Sequence, residues 1–215
     1  MNFFSTLVIF LLLVTSSYAK DLYSIDKMTL EFAEINYGVE AKNRMLELVK
    51  LLNSIDKESE NKKLKYINDF FNKIEYNNDL VIYKQKDYWA TREEFLNISL
   101  GDCEDYVIAK YFSLRQLGLS DEKLFLTYVK AIKYKQSHMV LTYFKKPTAV
   151  PLVLDNINPT ILPSTSRKDL RPLFSFNGEK IYMAKQRGLG REVPKGKINL
   201  KKWTNLILKI KKGTP

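Results

Sequence analysis

Residues 103–117 constrain the fold more than any other stretch, because a helix formed there would be apolar around almost its whole circumference. Its apolar members point in all directions from the helix axis: Tyr106, Val107, Ile108, Ala109, Tyr111, Phe112 and Leu114. Gly118 follows, and glycine is typical of the residue just past a helix. A helix of this kind is stable only when other elements bury it. The sequence therefore predicts a fold built around one central helix.

The residues before this helix also have helical spacing. Residues 26–55 carry apolar side chains every three or four positions, and Tyr37-Gly38 predicts a break between two helices. A similar pattern covers residues 64–74. Thr91 and Glu94 have the spacing of a capping box and predict a short helix that runs into Leu96. Together these stretches predict an N-terminal helical lobe.

The residues after the central helix alternate as strands do. Three strand-like runs are followed by a proline-punctuated loop, one further strand and a basic amphipathic helix: residues 124–132, 138–144, 151–155, 156–172, 180–185 and 199–212. Helices that precede a set of antiparallel strands are typical of the α+β class. We therefore expect an α+β fold, with a helical lobe on one side and an antiparallel β-sheet on the other.

The first nineteen residues resemble an export signal. They contain no charged side chain, and the apolar run from Phe3 to Val14 is too short to span a bilayer. Ser17-Tyr18-Ala19 predicts cleavage after Ala19, which leaves residues 20–215 as a single exported domain. A membrane anchor stays open as an alternative, because no Lys or Arg precedes the apolar run.

Charge and cysteine count limit the partners. The net charge of +11 favours acidic partners. We expect no nucleic acid among them, because the lysines are scattered and an exported protein rarely meets it. Since the chain has one cysteine, it forms no internal disulfide. Cys103 is then either a free reactive thiol or one half of an intermolecular bridge.

Cys103 is surrounded by Asp102, Glu104 and Asp105. Negative neighbours raise the pKa of a thiol and lower its reactivity. Asp102 is a suitable N-cap for the central helix, so Cys103 falls on the first turn, where the helix dipole stabilises an anion. Either the thiol is an inert core residue, or the dipole and a nearby cation offset the carboxylates.

A catalytic thiol needs a base, and His138 is the only histidine in the chain. If a hairpin turn falls near Lys146-Pro147, paired residues sum to 293, and Asp155 lies directly across from His138. A carboxylate at that position would orient the imidazole as the third member of a triad. The alternatives are a structural histidine and an aspartate that merely starts a turn, but Cys, His and Asp in this arrangement favour a nucleophile.

Three segments resemble a known family. They are QKDYWATREEFLNISLGDCEDYVIAKYFSLRQLGL, SHMVLTYF and PLVLDNINPTILP. They are similar to bacterial transglutaminase-like cysteine proteinases, in particular the LapG-type periplasmic proteases, over roughly residues 60–185. The resemblance implies a papain-like, transglutaminase-type fold, with Cys103 as nucleophile, His138 as base and Asp155 as orienting residue.

The resemblance also implies a biological role. Members of this family cleave a large surface adhesin near its N-terminus, typically after a pair of alanines, which releases it from the outer membrane and disperses biofilm. They need calcium, here implied at Asp102 and Glu104, with Asp105 as a possible third ligand. An inner-membrane receptor that senses cyclic di-GMP holds them inactive.

Calcium also agrees with the residue types, since three carboxylates within four residues are hard oxygen ligands. A bound dication would turn a field hostile to a thiolate into one that tolerates it. The alternative is that these carboxylates only cap the helix. No CxxC or HExxH spacing is present, which disfavours zinc.

Several functional questions stay open at this point. Gln85 and Trp89 are two candidates for a second oxyanion donor beside the Cys103 N–H, and Trp89 could equally be a packing residue. The same triad would also serve an acyltransferase or transglutaminase. A third alternative is a non-catalytic binding module on a degenerate protease scaffold.

Overall fold

Six of the seven described helices precede the large sheet in the chain, and the last of those six, Cys103–Gln116, is the central helix. The computed structural model describes residues 22–178, 180–194 and 196–213, so the predicted signal peptide lies outside the described residues. The helices are α1 Lys27–Tyr37, α2 Val39–Ile55, α3 Glu60–Phe71, α4 Asp79–Ile82, α5 Arg92–Ile98, α6 Cys103–Gln116 and α7 Lys201–Lys212. None of the described helices is both long and apolar enough to cross a bilayer.

Local chemistry explains where these helices begin and end. Gly38 separates α1 from α2 with a φ of +88°, a conformation that costs glycine little. Thr91 accepts a hydrogen bond from the Glu94 N–H, and the Glu94 carboxylate accepts one from the Thr91 N–H. This reciprocal capping box starts α5, as the spacing predicts.

The described strands form one short pair and one larger antiparallel sheet, which follows α6 in the chain. The strands are β1 Glu75–Tyr76, β2 Leu100–Gly101, β3 Leu124–Ala131, β4 Gln136–Tyr143, β5 Leu152–Leu154, β6 Leu162–Pro163, β7 Leu170–Phe176 and β8 Ile181–Met183. Strands β1 and β2 form a short parallel pair, and the other six form a sheet in the order β6-β5-β4-β3-β7-β8. All neighbours in the larger sheet are antiparallel.

The central helix α6 lies against the sheet and contacts β3 and β4. Helices α3 and α5 cover other sides of it. Ile108, Ala109 and Leu114 of α6 are fully buried. The α+β prediction and its central buried helix are therefore confirmed.

The predicted register of the β4–β5 hairpin is wrong by two residues. Leu141 pairs with Leu154 and Tyr143 with Leu152, so paired residues sum to 295 rather than 293. The Ala149 N–H donates to the Lys146 carbonyl at 2.9 Å, which makes residues 146–149 the turn. Pro147 is then the second turn residue, the position where its fixed φ is favourable. The prediction centred the turn one peptide bond too early.

Strand β7 was not predicted, because its first residues belong to the segment expected to be a proline-punctuated loop. Pro172 lies inside the strand and is paired with Val129 of β3. The register of β3 and β7 shifts between Tyr128 and Val129. Such an irregularity is where a strand tolerates a residue that has no N–H to donate.

Candidate active site

Cys103, His138 and Asp155 are predicted as a triad from distant parts of the sequence. The structure pairs His138 with Asp155 where β4 begins and β5 ends, and it places Cys103 on the same cleft as His138. Cys103 is the first residue of α6, and His138 lies near the start of β4. Asp155 directly follows β5. Cys103 and His138 both line an open cleft of about 510 Å³.

The short link into α6 needs glycine at position 101. A Cβ there would lie 2.6 Å from the Phe95 ring and 2.7 Å from Asp105 Oδ2. That carboxylate oxygen accepts a hydrogen bond from the Asp102 N–H at 3.3 Å, and Asp102 is the N-cap of α6. Gly101 therefore lets the chain turn tightly into the helix on which Cys103 sits.

His138 and Asp155 form a buried pair. His138 Nε2 lies 2.8 Å from Asp155 Oδ1, which also accepts the Ile157 N–H at 3.0 Å. His138 is 3% exposed and Asp155 is 1% exposed. Because Nε2 is hydrogen-bonded to Asp155, the other ring nitrogen, Nδ1, is the one that can exchange a proton with a group in the cleft.

Sequence reasoning missed Arg167, which holds the second oxygen of Asp155. Its guanidinium Nη2 lies 2.7 Å from Asp155 Oδ2 and 2.7 Å from Asp169 Oδ2. Burial by itself would raise the pKa of Asp155, but the contacts with His138 and Arg167 outweigh it and lower that pKa to about 2. Asp155 is therefore ionised near neutral pH.

The thiol lies in an unfavourable field. Burial, followed by the charges of Glu104 and Asp102, raises the pKa of Cys103 well above its usual value. The Cys103 Sγ donates to Glu104 Oε2 at 3.1 Å. A hydrogen bond from the Met139 N–H to the sulfur acts in the opposite direction. Without a further positive charge, the thiol stays protonated.

The carboxylates beside the thiol form two overlapping groups within the described residues. Asp102 and Glu104 lie with the Cys103 sulfur in one group, and Asp79, Asp102 and Asp105 form the other, with ligand atoms within 4.8 Å of one another. Asp79, in α4, was not predicted. Its neighbours in sequence have no periodicity that would have identified it as a site residue.

The electrostatics of this cluster favour a cation. Burial, with the charge of Asp102, raises the pKa of Asp79 to about 6 and that of Glu104 to about 10. Asp79 Oδ1 and Asp102 Oδ1 are buried without a hydrogen-bond partner. Buried carboxylate oxygens of this kind need a partner, and oxygen ligands suit Ca²⁺. The residues present therefore fit a calcium ion.

The C-terminal helix supplies one positive charge near this cluster. Lys202 of α7 donates to the Asp87 carbonyl at 2.5 Å and forms an ion pair with the Asp87 carboxylate. Asp87 lines the same cleft as Cys103. The Lys202 ammonium also lowers the pKa of Asp79 and Asp102, but less than burial raises it. One ammonium therefore offsets only part of the negative charge.

Neither candidate for the second oxyanion donor is among the residues that line the cleft. Gln85 is exposed, and Trp89 is buried with its ring stacked on Phe176. The Trp89 indole N–H donates to Asp87 Oδ1 at 3.1 Å. Trp89 is thus a packing residue, the alternative that the sequence left open.

Comparison with known proteins agrees with this geometry. A model of the bacterial transglutaminase-like cysteine proteinase family matches residues 40–168. The chain belongs to this family. It is therefore a cysteine protease, and the matched residues include the Cys103, His138 and Asp155 site.

Solved structures show the same fold. The calcium-bound LapG of Legionella pneumophila is 32% identical, with a TM-score of 0.73, and the match covers 86% of this chain and 99% of that chain. The EGTA-treated form of the same protein is 33% identical, with a TM-score of 0.72, over 85% of this chain and 96% of that chain. No curated protein sequence gives a significant match.

Proposed function

We propose that this transglutaminase-like proteinase is a calcium-dependent cysteine endopeptidase that acts through Cys103, His138 and Asp155. One observation carries the proposal: a buried histidine–carboxylate pair opens into the cleft that also holds a cysteine at a helix N-terminus. A nucleophile, a base and a residue that orients the base are the parts that acyl transfer needs.

The reaction follows from the positions of these groups. The Cys103 thiol gives its proton to His138 Nδ1, and the thiolate attacks the scissile carbonyl. The Cys103 N–H, at the positive end of α6, donates to the oxygen that becomes negative. The imidazolium then protonates the leaving amine, the C–N bond breaks, and an S-acyl enzyme remains.

Hydrolysis returns the enzyme to its starting state. His138 takes a proton from a water molecule, which attacks the thioester carbonyl. The imidazolium gives that proton to the Cys103 sulfur as the C–S bond breaks, and the new carboxyl group loses its proton to solvent. Asp155 accepts from Nε2–H throughout, so it fixes the ring tautomer and stabilises the imidazolium. Arg167 holds the other Asp155 oxygen and keeps this carboxylate in place.

Asp102 and Glu104 would hold the calcium ion, and Asp105 and Asp79, which form the second group with Asp102, would offer further oxygens. When bound, the ion supplies positive charge that offsets these carboxylates and favours the Cys103 thiolate. The calcium-bound and EGTA-treated relatives, both about one-third identical to this chain, support this assignment.

The resemblance to LapG-type proteases supports a substrate and a location. We propose that the protein is exported to the periplasm by residues 1–19. There it cleaves the N-terminal region of a large repeat-containing adhesin, which frees the adhesin from the outer membrane and disperses biofilm. An inner-membrane cyclic di-GMP receptor with a periplasmic domain would control it.

The test is cleavage of the N-terminal region of such an adhesin from the same genome by residues 20–215. We expect one cut that requires calcium, with a new N-terminus found by sequencing the product. Cys103→Ala and a calcium chelator should each abolish it. An intact adhesin fragment after prolonged incubation with calcium-loaded enzyme would contradict the proposal.

An acyltransferase is the second candidate, because the same S-acyl enzyme can be attacked by an amine. Adding a primary amine to the assay separates the two. A protease gives a free carboxylate at the new C-terminus, whereas a transferase gives the amide, and mass spectrometry distinguishes them.

A further inference from the structure

Lys110 is a buried lysine in the central helix, and the proposed chemistry does not use it. It lies two turns after Cys103 on α6 and is 0% exposed. Burial lowers its pKa to about 7, although the charge of Asp155 acts in the opposite direction. Burying an ammonium group costs free energy that an apolar side chain of similar size would not cost. A role beyond packing would explain its presence.

The contacts of Lys110 lead to α3. Its Nζ donates to Asn68 Oδ1 at 2.9 Å and to Asn72 Oδ1 at 2.7 Å. Both amide oxygens are thereby fixed towards the lysine, so both amide NH2 groups point away from it. Lys110 thus sets the orientation of Asn68 in α3 and of Asn72, which caps the C-terminus of α3.

The two amide groups hold one segment of main chain. Asn72 Nδ2 donates to the Asp155 carbonyl at 2.9 Å, and Asn68 Nδ2 donates to the Pro159 carbonyl at 2.8 Å. These carbonyls are the two ends of residues 155–159. Lys110 is therefore linked, through the side-chain amides of Asn68 and Asn72, to both ends of this five-residue segment.

The same segment carries part of the active site. Asp155 orients His138, and the next two residues, Asn156 and Ile157, line the cleft. Strand β5 ends at Leu154, so residues 155–159 follow the end of that strand. Their position therefore depends on contacts such as those of Asn68 and Asn72.

We propose that Lys110 is a positioning residue, which acts through Asn68 and Asn72 to hold residues 155–159 where Asp155 can orient His138. The proposal rests on the cysteine endopeptidase proposed above. It assigns a purpose to a buried charge that packing alone would not favour. It also predicts that replacing Lys110 lowers kcat in a protein that is still folded at the assay temperature.

The first test replaces the lysine by an apolar residue of similar length. Lys110→Met should lower kcat by about 10- to 100-fold, because a small displacement of a catalytic group has an effect of this size. The melting temperature should stay close to that of the wild type, so that the loss in kcat is not explained by unfolding. Lys63→Met is the matched control, since Lys63 Nζ donates to the Leu117 carbonyl at the far end of α6. We expect its kcat to equal that of the wild type.

The second test measures the hydrogen bond between His138 and Asp155 by NMR and needs no substrate. His138 is the only histidine in the chain, so its imidazole signals in the NMR spectrum of the untagged protein need no assignment by mutation. The Nε2–H proton is bonded to Asp155 and should exchange slowly with water. In Lys110→Met it should exchange about tenfold faster, because the bond to Asp155 is less well held. This measurement stays valid if the adhesin is not the substrate.

Asn72→Ala gives a second variant, in case Lys110→Met fails to fold. It removes both bonds of the Asn72 amide, the one from Lys110 and the one to the Asp155 carbonyl, and leaves the Asn68 contacts in place. It should reproduce the loss in kcat and the faster proton exchange. If the two substitutions act through one chain of contacts, the double variant should be no worse than the more damaging single one. A folded Lys110→Met or Asn72→Ala protein with wild-type kcat and wild-type proton exchange would overturn the proposal.

Discussion

His138 Nε2 lies 2.8 Å from Asp155 Oδ1, although the two residues are not opposite each other in the sheet. The β4–β5 register would place Val140 opposite Asp155, so the contact is diagonal. A displacement of two residues keeps both side chains on the same face of the sheet. Diagonal neighbours are within reach of a long side chain such as histidine. The pair therefore depends on where the chain after β5 is held as well as on strand pairing.

We predict that Asp155→Asn keeps the fold and lowers kcat by about 10⁴-fold, because an amide stabilises the wrong imidazole tautomer. The measurement is kcat for cleavage at saturating substrate. Asp169→Asn is the control, since Asp169 also pairs with Arg167 but does not contact His138. Similar activities for the two variants would contradict the orienting role.

We predict that Cys103→Ala and His138→Ala each lower kcat by at least about 10³-fold, since the chain has no second cysteine or histidine to replace them. Circular dichroism should show that both variants are folded. More than a tenth of wild-type activity in either one would exclude the proposed nucleophile or base.

Some of this site was predictable from the sequence, and the reason lies in local chemistry. The apolar residues of α6, the cap at Asp102 and the scarcity of cysteine and histidine all leave a clear mark on the sequence. Pro147 could also have predicted the correct hairpin register. Proline favours the second position of a turn, which places the turn at residues 146–149, as observed. These features depend on neighbours in the chain.

Arg167, Lys110 and Asp79 were not predictable in the same way. Charged residues are rarely buried, so a sequence gives no reason to place these three inside. Each is buried through contacts with residues distant in the chain, as Lys110 is with Asn68 and Asn72. Such networks become visible only when the elements are assembled.

We predict that Arg167→Met destabilises the protein by about 3–5 kcal/mol near neutral pH, because it leaves the buried Asp155 carboxylate without its guanidinium partner. The folded-state pKa of Asp155, about 2, lies below the unfolded value of about 3.9. Its contribution to stability is therefore present above about pH 4 and is lost as the pH falls towards 2. Urea unfolding at pH 7 and at pH 3 should show a smaller loss between the two pH values for Arg167→Met than for the wild type. Equal losses would contradict this account.

We predict that Lys110 makes the protein more stable as the pH rises from about 7 to about 10. Its folded-state pKa of about 7 lies below the unfolded value of about 10.4, so in this range the unfolded chain binds a proton that the folded protein does not. Asp155 and Asp69 are the charged groups that act on it. The neutral amine still has two N–H donors for its two amide partners. The difference in unfolding free energy between wild type and Lys110→Met, measured across this range, should change in favour of the wild type. A constant difference would contradict the lowered pKa.

We predict that calcium stabilises the folded protein as well as activating it. The carboxyl groups of Asp79, Asp102, Glu104 and Asp105 are crowded beside the thiol, and two of their oxygens are buried without a partner. An ion that binds only the folded protein at 100 times its Kd adds about 2.7 kcal/mol of stability. For a chain of this size, that free energy raises Tm by about 5–10 °C. Magnesium should have a smaller effect, because it requires a tighter octahedral shell.

The experiment compares thermal melts and calorimetric calcium binding for wild type, Asp102→Ala/Glu104→Ala and Asp79→Asn. The double variant should bind no calcium and show no rise in Tm. Asp79→Asn should bind calcium more weakly than the wild type, because it replaces one carboxylate oxygen of the Asp79, Asp102 and Asp105 group by an amide. Glu58→Ala/Asp69→Ala is the charge-matched control, since these carboxylates form surface ion pairs with Lys62 and Lys65. If chelated wild-type enzyme melts and cleaves like the calcium-loaded form, the acidic cluster only caps α6, and the Lys202 ammonium and the helix dipole must offset its charge on Cys103.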